Sequence, residues 1–231
     1  MESTSRRLAF KCTDMNMMCM DYQFEMNKKH KHPGKVELCK CGFHFCANVY
    51  NIHLYYNFEK SRLFIIEYGE ITSHDYESLK GVTDEITFLV EITAHNLSDL
   101  YCSKIYRDLL MQNHKGLLLF FCASGQLSAI EFLLSQRASV VNIAFALACR
   151  NGHLSVVKFL VDNGADIHAK DNLPIQWACE RGHYGIVKYL YEKGADIHVN
   201  NGAPLRSAIS FGHRDVAAFL TSKNVVIKND E

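Results

Sequence analysis

Apolar residues between positions 173 and 192 recur with the spacing of two short helices. Ile175, Ala178 and Cys179 fall at i, i+3 and i+4, which places them on one face of a first helix. A second helix, running to about residue 192, is predicted to bury four side chains, those of Ile186, Val187, Tyr189 and Leu190. Gly182 and Gly194 are expected to end the two helices in the left-handed conformation. Residues 195–201 are predicted to form an extended, hairpin-like return.

This pattern repeats along the chain. Gly-His pairs stand at 152–153, 182–183 and 212–213, in two steps of 30 residues, and Gly-Ala-Asp-Ile-His stands at both 164–168 and 194–198. A fixed period of about 20 to 50 residues is typical of stacked repeats that share one core. A divergent copy of the repeat around Gly125, 27 residues before Gly152, adds a further unit. We therefore predict four units, at residues 113–140, 141–170, 171–200 and 201–231.

The repeat resembles the ankyrin family. The resemblance rests on the Pro-Ile-Gln and Pro-Leu-Arg openings at 174–176 and 204–206, the Ala-Cys pairs at 148–149 and 178–179, the Gly-His turns and the Gly-Ala-Asp-Ile-His closings. It covers about half the chain and implies a C-terminal all-α ankyrin solenoid of helix-turn-helix repeats over residues 113–231. The family period is about 33 residues, so these units are about three residues shorter, and short finger loops are expected after Asp171. Leu173 and Gln176 replace the Thr and His of the family's Thr-Pro-Leu-His box.

In ankyrin proteins the ligand face is the concave side, so the resemblance implies a protein partner there. The predicted contacts are the residues just before each Gly-His turn, with Trp177 and the loop tips. They are Arg150, Asn151, Asn172, Trp177, Glu180, Arg181, Asn201, Ser210 and Phe211. Tryptophan and arginine dominate interface hot spots. Two alternatives stay open: the charged residues are solvated helix ends, and Trp177 packs against the neighbouring unit.

The repeated histidines are predicted to have a structural role. His153, His183 and His213 recur one unit apart, too far from one another to share a metal ion. As turn residues of an ankyrin repeat, they are expected to cap or bond backbone groups.

Residues 1–95 lack the repeat, and their sequence pattern predicts a small α+β module of uncharacterised function. Strands are expected at residues 38–46, 62–68 and 86–92, although the third segment could also be a helix. Residues 47–56 predict a short helix. A further helix over residues 98–111, within a linking segment 96–112, is predicted to cap the array.

A cysteine cluster in this module suggests zinc, but its spacing argues against it. Cys39, Cys41 and Cys46, with His44 among them, follow Cys-x-Cys-x4-Cys, which differs from the paired Cys-x2-Cys knuckle, and a second pair of ligands at a suitable distance is missing. On one strand, Cys39 and Cys41 point to one side and Cys46 to the other. We predict packed thiols, with no metal ion and no cofactor; zinc binding and redox chemistry are the alternatives.

The module itself carries two further resemblances. Lys-Cys-Thr-Asp at 11–14, Gly-Phe-His-Phe-Cys at 42–46 and Tyr-Tyr at 55–56 resemble an uncharacterised module found beside ankyrin arrays in giant viruses of the mimivirus type and some phages. This implies a viral protein in the host cytoplasm. More distantly, the strand and the tyrosine pair are similar to the middle of ADP-ribosyltransferase folds. Such an enzyme needs a catalytic glutamate, for which Glu67 and Glu91 are available.

Composition narrows the functional classes. Lys and Arg total 25, as do Asp and Glu, so the formal net charge is zero. The chain therefore lacks the basic footprint of a general nucleic-acid binder. No apolar run reaches the roughly 18 residues of a membrane helix, and the polar start lacks a signal core. We predict a cytoplasmic, non-enzymatic protein–protein interaction protein. The alternatives are a diverged ADP-ribosyltransferase-like enzyme whose array recruits substrate, and a degradation adaptor, for which no F-box pattern is seen.

Overall fold

The computed structural model describes residues 7–13, 16–19, 22–31, 43–46, 49, 61–69, 71–75, 80–83, 85–136 and 142–227. The chain divides into two compact units, residues 1–120 and 121–231. The first is built on an antiparallel sheet followed by short helices, and the second is helical. The predicted fold class, a small α+β module before a helical repeat array, is confirmed. None of the helices in the described ranges is both long and apolar enough to cross a bilayer.

Nine strands are described in the first unit. They are β1 (Leu8–Thr13), β2 (Met18–Cys19), β3 (Tyr22–Gln23), β4 (Lys29–Lys31), β5 (Phe43–Cys46), β6 (Arg62–Tyr68), β7 (Ile71–Asp75), β8 (Lys80–Thr83) and β9 (Glu85–Glu91). Seven of them form one antiparallel sheet in the order β4-β9-β6-β1-β5-β8-β7, and β2 pairs with β3. The central strands β1 and β6 pair with Ala9 opposite Ile66 and Lys11 opposite Phe64.

The burial of the side chains along a strand depends on where the strand lies in the sheet. The central strand β6 is buried without interruption from Leu63 to Ile66. In β9, Ile86 and Phe88 are buried, whereas Thr87 between them and Leu89 after them are only partly buried, which is the alternation of a half-buried strand. The segment 86–92, left between strand and helix by its sequence, is therefore mainly a strand. The predicted strand at 62–68 is confirmed.

Two other expectations fall partly outside the described residues. Of the predicted strand 38–46, the structure describes β5, and residues 38–42 lie outside the described ranges. Of the predicted helix 47–56, only Val49 is described, and it is helical.

The predicted continuous helix over residues 98–111 is wrong. Two short helices stand there, α1 (Leu97–Cys102) and α2 (Arg107–Gln112). Ser103 ends α1 with an extended backbone, φ −70° and ψ 126°, and its N–H bonds back to the carbonyl of Asp99. Ile105, whose spacing fits one helical face, therefore lies in the turn and is 53% exposed.

Eight further helices lie in the described ranges after residue 113. They are α3 (His114–Ser124), α4 (Leu127–Ser135), α5 (Asn142–Arg150), α6 (Leu154–Asp162), α7 (Ala169–Glu180), α8 (Tyr184–Glu192), α9 (Val199–Ser210) and α10 (Arg214–Ser222). In the second unit, α5, α7 and α9 pack side by side, and α6, α8 and α10 each pack against the helix that precedes them. We call α5, α7 and α9 the first helices and α6, α8 and α10 the second helices.

The apolar faces predicted for the repeat are present, with one correction. Ile175, Ala178 and Cys179 are fully buried on α7. On α8, Ile186, Val187 and Leu190 are buried, whereas Tyr189 is only partly buried. Tyr189 lies between two lysines, with the Nζ atoms of Lys158 and Lys193 at 5.7 and 5.6 Å from its ring centroid.

The predicted extended return over residues 195–201 is wrong. Asn200, Asn201 and Gly202 adopt φ of 50°, 56° and 79°, and Lys170, Asp171 and Asn172 adopt 49°, 56° and 60°. Three successive left-handed residues reverse the chain within a few positions, so no extended arm is needed. Asn, Asp and Gly are the residues that tolerate this region best, and five of the six residues are of these types.

Candidate functional site

The Gly-His turns fix where each first helix ends. Gly182 has a φ of +73°, and the N–H of His183 bonds to the carbonyl of Ala178 at 2.9 Å. A hydrogen bond from an N–H to the carbonyl five residues earlier, enclosing a left-handed glycine, is characteristic of the Schellman motif. The same bond joins His213 to Ala208 at 2.8 Å. The residues just before each glycine therefore occupy equivalent positions in successive units.

The imidazole rings connect each unit to the preceding one. The Nε2 atoms of His153, His183 and His213 lie 3.0, 2.8 and 2.9 Å from the carbonyl oxygens of Ala123, Arg150 and Glu180. Because a carbonyl only accepts, each Nε2 carries the proton. The acceptors are carbonyls near the ends of the preceding helices, which have no partner within their own helix. The prediction that these histidines bond backbone groups is confirmed.

Each ring also lies against the glycine of the preceding unit. A Cβ added to Gly152 would stand 2.7 Å from Cε1 of His183, and one added to Gly125 would stand 2.7 Å from Cε1 of His153. Both distances are too short for ordinary contact. Glycine is therefore required here for two reasons, its left-handed backbone and the ring above it.

Arg150 and Trp177 touch across two neighbouring units. The guanidinium carbon of Arg150 lies 5.2 Å from the centroid of the Trp177 ring, and both side chains are partly buried. A cation over an indole face contributes about 0.5–1 kcal/mol at exposed sites and more when water is excluded. Trp177 thus contacts the neighbouring unit while part of its surface stays accessible.

The remaining predicted contacts of the helix ends differ in their surroundings. The amide of Asn151 donates to the carbonyl of Ala123 at 2.7 Å. The exposed Arg181 and the partly buried Glu180 form an ion pair at 3.5 Å. Ion pairs at a protein surface contribute about 0–1 kcal/mol. Ser210 and Phe211 are exposed, Phe211 to 61%.

The loop-tip asparagines lie in the left-handed turns. Oδ1 of Asn172 is 2.8 Å from Nδ1 of His168, and Asn201 is exposed. Two residues that sequence reasoning did not select hold these turns. Gln176 donates to the carbonyl of Asp171 at 2.6 Å, and Arg206 donates to the carbonyl of Asn200 at 3.0 Å. Both stand where the family has a histidine, and that substitution is the signal that could have found them.

Three cysteines of the array are packed rather than reactive. Cys122, Cys149 and Cys179 are fully buried. Burial raises the pKa of all three thiols, that of Cys179 to about 12. A thiol with a raised pKa is a poor nucleophile and a poor metal ligand at neutral pH.

In the first unit, the two glutamates considered for catalysis have different structural environments. Glu91 accepts two bonds from Arg62, at 2.9 and 2.7 Å, and this contact raises the pKa of the guanidinium. Glu67 lies on β6, paired with Leu8 and Thr87. A bidentate carboxylate–guanidinium pair is a strong structural contact.

The structure also shows a buried lysine that sequence reasoning did not single out. Lys11 is 2% exposed on β1, with its Nζ 5.6 Å from the centroid of the Phe24 ring. His30, also buried, packs edge-on to Phe24 at 5.2 Å, and its Nδ1 lies 3.3 Å from the hydroxyl of Tyr22.

The cysteine cluster of the module lies mostly beyond the described residues. Cys46 is buried on β5, but Cys39, Cys41 and the side chain of His44 are not described. Across the ranges that are described, no group of three or more His, Cys, Asp and Glu side chains is placed to hold a metal ion.

Comparison with known proteins distinguishes the two parts of the chain. A model of a domain of unknown function (DUF7666) matches residues 7–100. The ankyrin repeats model (3 copies) matches residues 88–171 and 145–230. Together the two matches of the ankyrin model run from residue 88 to residue 230 and so cover 143 of the 231 residues. No curated protein matches the chain. The repeated helices, the Gly-His turns and this match together show that the chain belongs to the ankyrin repeat family.

Proposed function

We propose that the chain is a non-enzymatic interaction protein whose ankyrin array binds a partner protein. Ankyrin arrays bind proteins in general and are seldom catalytic, and stacked repeats offer an extended surface. The proposed contacts are the side chains named above at the helix ends and loop tips, which the family resemblance assigns to the concave face.

The contact of Arg150 with Trp177 carries this proposal. Arginine and tryptophan are the residue types enriched in hot spots, and the two are already ordered by each other across a unit boundary. Ordering a rotamer-rich side chain on binding costs about 0.5–1.5 kcal/mol, so a side chain that is held in advance loses less entropy. Phe211, 61% exposed in the next unit, adds an apolar group at the equivalent helix end.

The test begins with capture of a partner from cell lysate by the full chain. Its affinity is then measured with Trp177→Ala, Phe211→Ala and the double variant Arg150→Glu with Arg181→Glu. Lys188→Glu is the matched control, since Lys188 is exposed on a second helix. Trp177 is the only tryptophan, so its emission reports directly on the proposed face.

We expect each face variant to weaken binding at least about tenfold, which is about 1.4 kcal/mol, and Lys188→Glu to leave it unchanged. Circular dichroism confirms that every variant is folded. If Lys188→Glu weakens binding as much as the face variants do, or if no face variant weakens it, the proposed face is wrong.

The other candidate activities stay predictions. An ADP-ribosyltransferase-like first unit predicts turnover of nicotinamide dinucleotide by the full chain, lost in Glu67→Gln or Glu91→Gln. The second variant also breaks the pair with Arg62, so its folding must be checked. The degradation-adaptor role, the viral setting and the cytoplasmic location likewise remain expectations.

A further inference from the structure

The two sets of helices in the array differ in charge. We call α5, α7 and α9, with the one residue that follows each of them, the first row, and α6, α8 and α10 the second row. In the second row three cations balance three anions: Lys158, Lys188 and Arg214 with Asp162, Glu192 and Asp215. The first row carries four cations and two anions: Arg150, Lys170, Arg181 and Arg206 with Asp171 and Glu180. The first row is therefore positively charged in a chain whose formal net charge is zero.

Most of this positive charge has no carboxylate beside it. Among the described residues, the only ion pair of the first row joins Arg181 to Glu180 at 3.5 Å. Arg150 and Arg206 contact an aromatic ring and a backbone carbonyl instead. Neither contact neutralises a guanidinium, so both arginines keep their full charge for an anion from outside the array.

Both guanidinium groups are also held in place. That of Arg150 lies over the Trp177 ring at 5.2 Å, and that of Arg206 donates to the carbonyl of Asn200 at 3.0 Å. A guanidinium has five N–H donors in a planar fork that matches the two oxygens of a carboxylate. These contacts use at most part of that fork, and a side chain ordered in advance loses less entropy when an anion binds.

The repeat register places these two arginines and the tryptophan on one surface. Glu180 and Ser210 follow Arg150 by 30 and 60 residues, so the three occupy equivalent positions on successive first helices. Trp177 stands three residues before Glu180, and Arg206 stands four residues before Ser210. Residues three or four apart share one face of a helix. Trp177 therefore lies on the helix between those of Arg150 and Arg206 and on the same side of the row.

The spacing of the two arginines sets the length of a chain that can reach both. Packed helices lie about 8–10 Å apart, and α7 packs between α5 and α9, so the outer two are about 16–20 Å apart. The step of four residues between the positions of Arg150 and Arg206 adds a shift of about 6 Å along the helix axis. The backbones at the two arginines are thus about 17–21 Å apart, the length of about six residues of extended chain.

We propose that the first row binds an acidic, extended segment of the partner protein, a step that presupposes the partner-binding role proposed above. The segment carries two carboxylates about six residues apart, which pair with Arg150 and Arg206. An apolar side chain midway between them packs on the accessible part of the Trp177 ring. Guanidinium groups also bind phosphates, but nucleic-acid binding draws on many phosphate contacts and a basic footprint, and the balanced second row lacks one.

Labelled peptide libraries test the chemistry and the spacing separately. The first library has the pattern Glu-x-x-Leu-x-x-Glu, where x is glycine, serine or alanine. The second replaces both glutamates by glutamine, and the third, x-x-Glu-Leu-Glu-x-x, keeps the charge but brings the carboxylates together. Fluorescence anisotropy measures the binding of each library, and of a labelled ten-nucleotide oligouridylate, to the full chain. Arg150→Gln and Arg206→Gln remove one cation each, and Lys188→Gln is the matched control on the second row.

We expect the first library to bind at least about tenfold more tightly than the second or the third. Arg150→Gln and Arg206→Gln should each weaken that binding at least about threefold, as for loss of a charge-assisted hydrogen bond, and Lys188→Gln should leave it unchanged. Circular dichroism confirms that each variant is folded. The proposal is overturned if the first library does not bind, if it binds no more tightly than the other two, if Lys188→Gln matters as much as the arginine variants, or if the oligouridylate binds more tightly.

A competition experiment separates this proposal from the partner-binding role. The first library is added to the complex of the full chain with the partner captured from lysate, and it should displace that partner. A partner that depends on Trp177 but is neither displaced by the library nor weakened by Arg150→Gln and Arg206→Gln leaves the binding role standing and overturns the acidic segment. A partner that is indifferent to all the variants of the first row overturns both.

Discussion

Adding a methyl group at Gly152 should destabilise the array through the ring of His183. Gly152 has a φ of +85°, and its added Cβ would stand 2.7 Å from Cε1 of the ring. Placing alanine in a left-handed conformation costs about 1–2 kcal/mol. Overlap with a packed side chain adds about 1–3 kcal/mol. Because relief of the overlap displaces the ring, the bond to the carbonyl of Arg150 is also lost, at about 1 kcal/mol. We expect a total loss of about 3–6 kcal/mol.

Two comparisons separate these contributions. Gly212→Ala shares the register and a φ of +79°, but its Cβ would meet nothing within 4 Å, so only the conformational cost of about 1–2 kcal/mol is expected. In the double variant Gly152→Ala with His183→Ala, the overlap is absent. The double variant should therefore be more stable than the sum of the single changes implies, by about 2–4 kcal/mol, because that sum includes an overlap that is absent and counts the lost bond to the carbonyl of Arg150 twice.

Urea unfolding, followed by far-ultraviolet circular dichroism and by Trp177 emission, measures these differences. Repeat arrays unfold through nearest-neighbour steps, so midpoints and slopes are compared for the same probe. Trp177 lies in the unit between the two glycines, which makes its emission the more local readout. Equal losses for Gly152→Ala and Gly212→Ala, with additivity to within about 0.5 kcal/mol in the double variant, would show that the ring does not restrict this site.

Three further predictions concern buried or paired groups. Alkylation followed by mass spectrometry should modify the exposed Cys102 before Cys179, and Cys179 only after unfolding. Burial raises the pKa of Cys179 from 9.0 to about 12 and so lowers its thiolate fraction about a thousandfold at pH 8. Comparable rates for these two cysteines in the folded protein would contradict this. Glu91→Gln should lower the free energy of unfolding by about 1–2 kcal/mol, because Arg62 loses a charged double hydrogen bond. Urea titrations measure this, and an unchanged midpoint would show that the pair with Arg62 does not stabilise the fold. Burial raises the pKa of Tyr101 above its usual 10, and so favours the protonated phenol in the folded state. Stability should therefore be unaffected below pH 10 and fall above it, a dependence that Tyr101→Phe should reduce.

The repeat could be predicted from sequence because its apolar spacing and glycines act locally. Ile175, Ala178 and Cys179 lie on one helical face whatever surrounds them, and Gly182 ends that face wherever a left-handed residue is needed. The path of the loops could not be predicted in this way. A 30-residue period gives the number of residues in a loop but not their conformation, and Lys170 is an uncommon residue at positive φ.

Some elements of the first unit could not be predicted, because they are decided by backbone conformation and strand pairing that the sequence pattern does not reveal. The apolar spacing runs through Ser103 without a break, and only the extended backbone of that residue divides α1 from the helix after it. The segment 86–92 fits two periods, and pairing with β6 on one side and β4 on the other decides in favour of a strand. Register selected Arg150 and Trp177 for the candidate face, but their contact arises from the stacking of units, which joins residues 27 positions apart.

Arg150 shows how stacking and partner binding can be separated in this array. Its carbonyl accepts the imidazole bond of His183 at 2.8 Å, while its guanidinium covers the ring of Trp177. Replacing the side chain of Arg150 changes the proposed face but leaves the carbonyl in place, so the bond between units can persist. Replacing His183 removes that bond but leaves the side chains of the face. Two results would therefore assign the two roles to different atoms of the same residue. Arg150→Glu should lose affinity while losing no more stability than the contact with Trp177 contributes, about 0.5–1 kcal/mol, and His183→Ala should lose stability at unchanged affinity below its melting range.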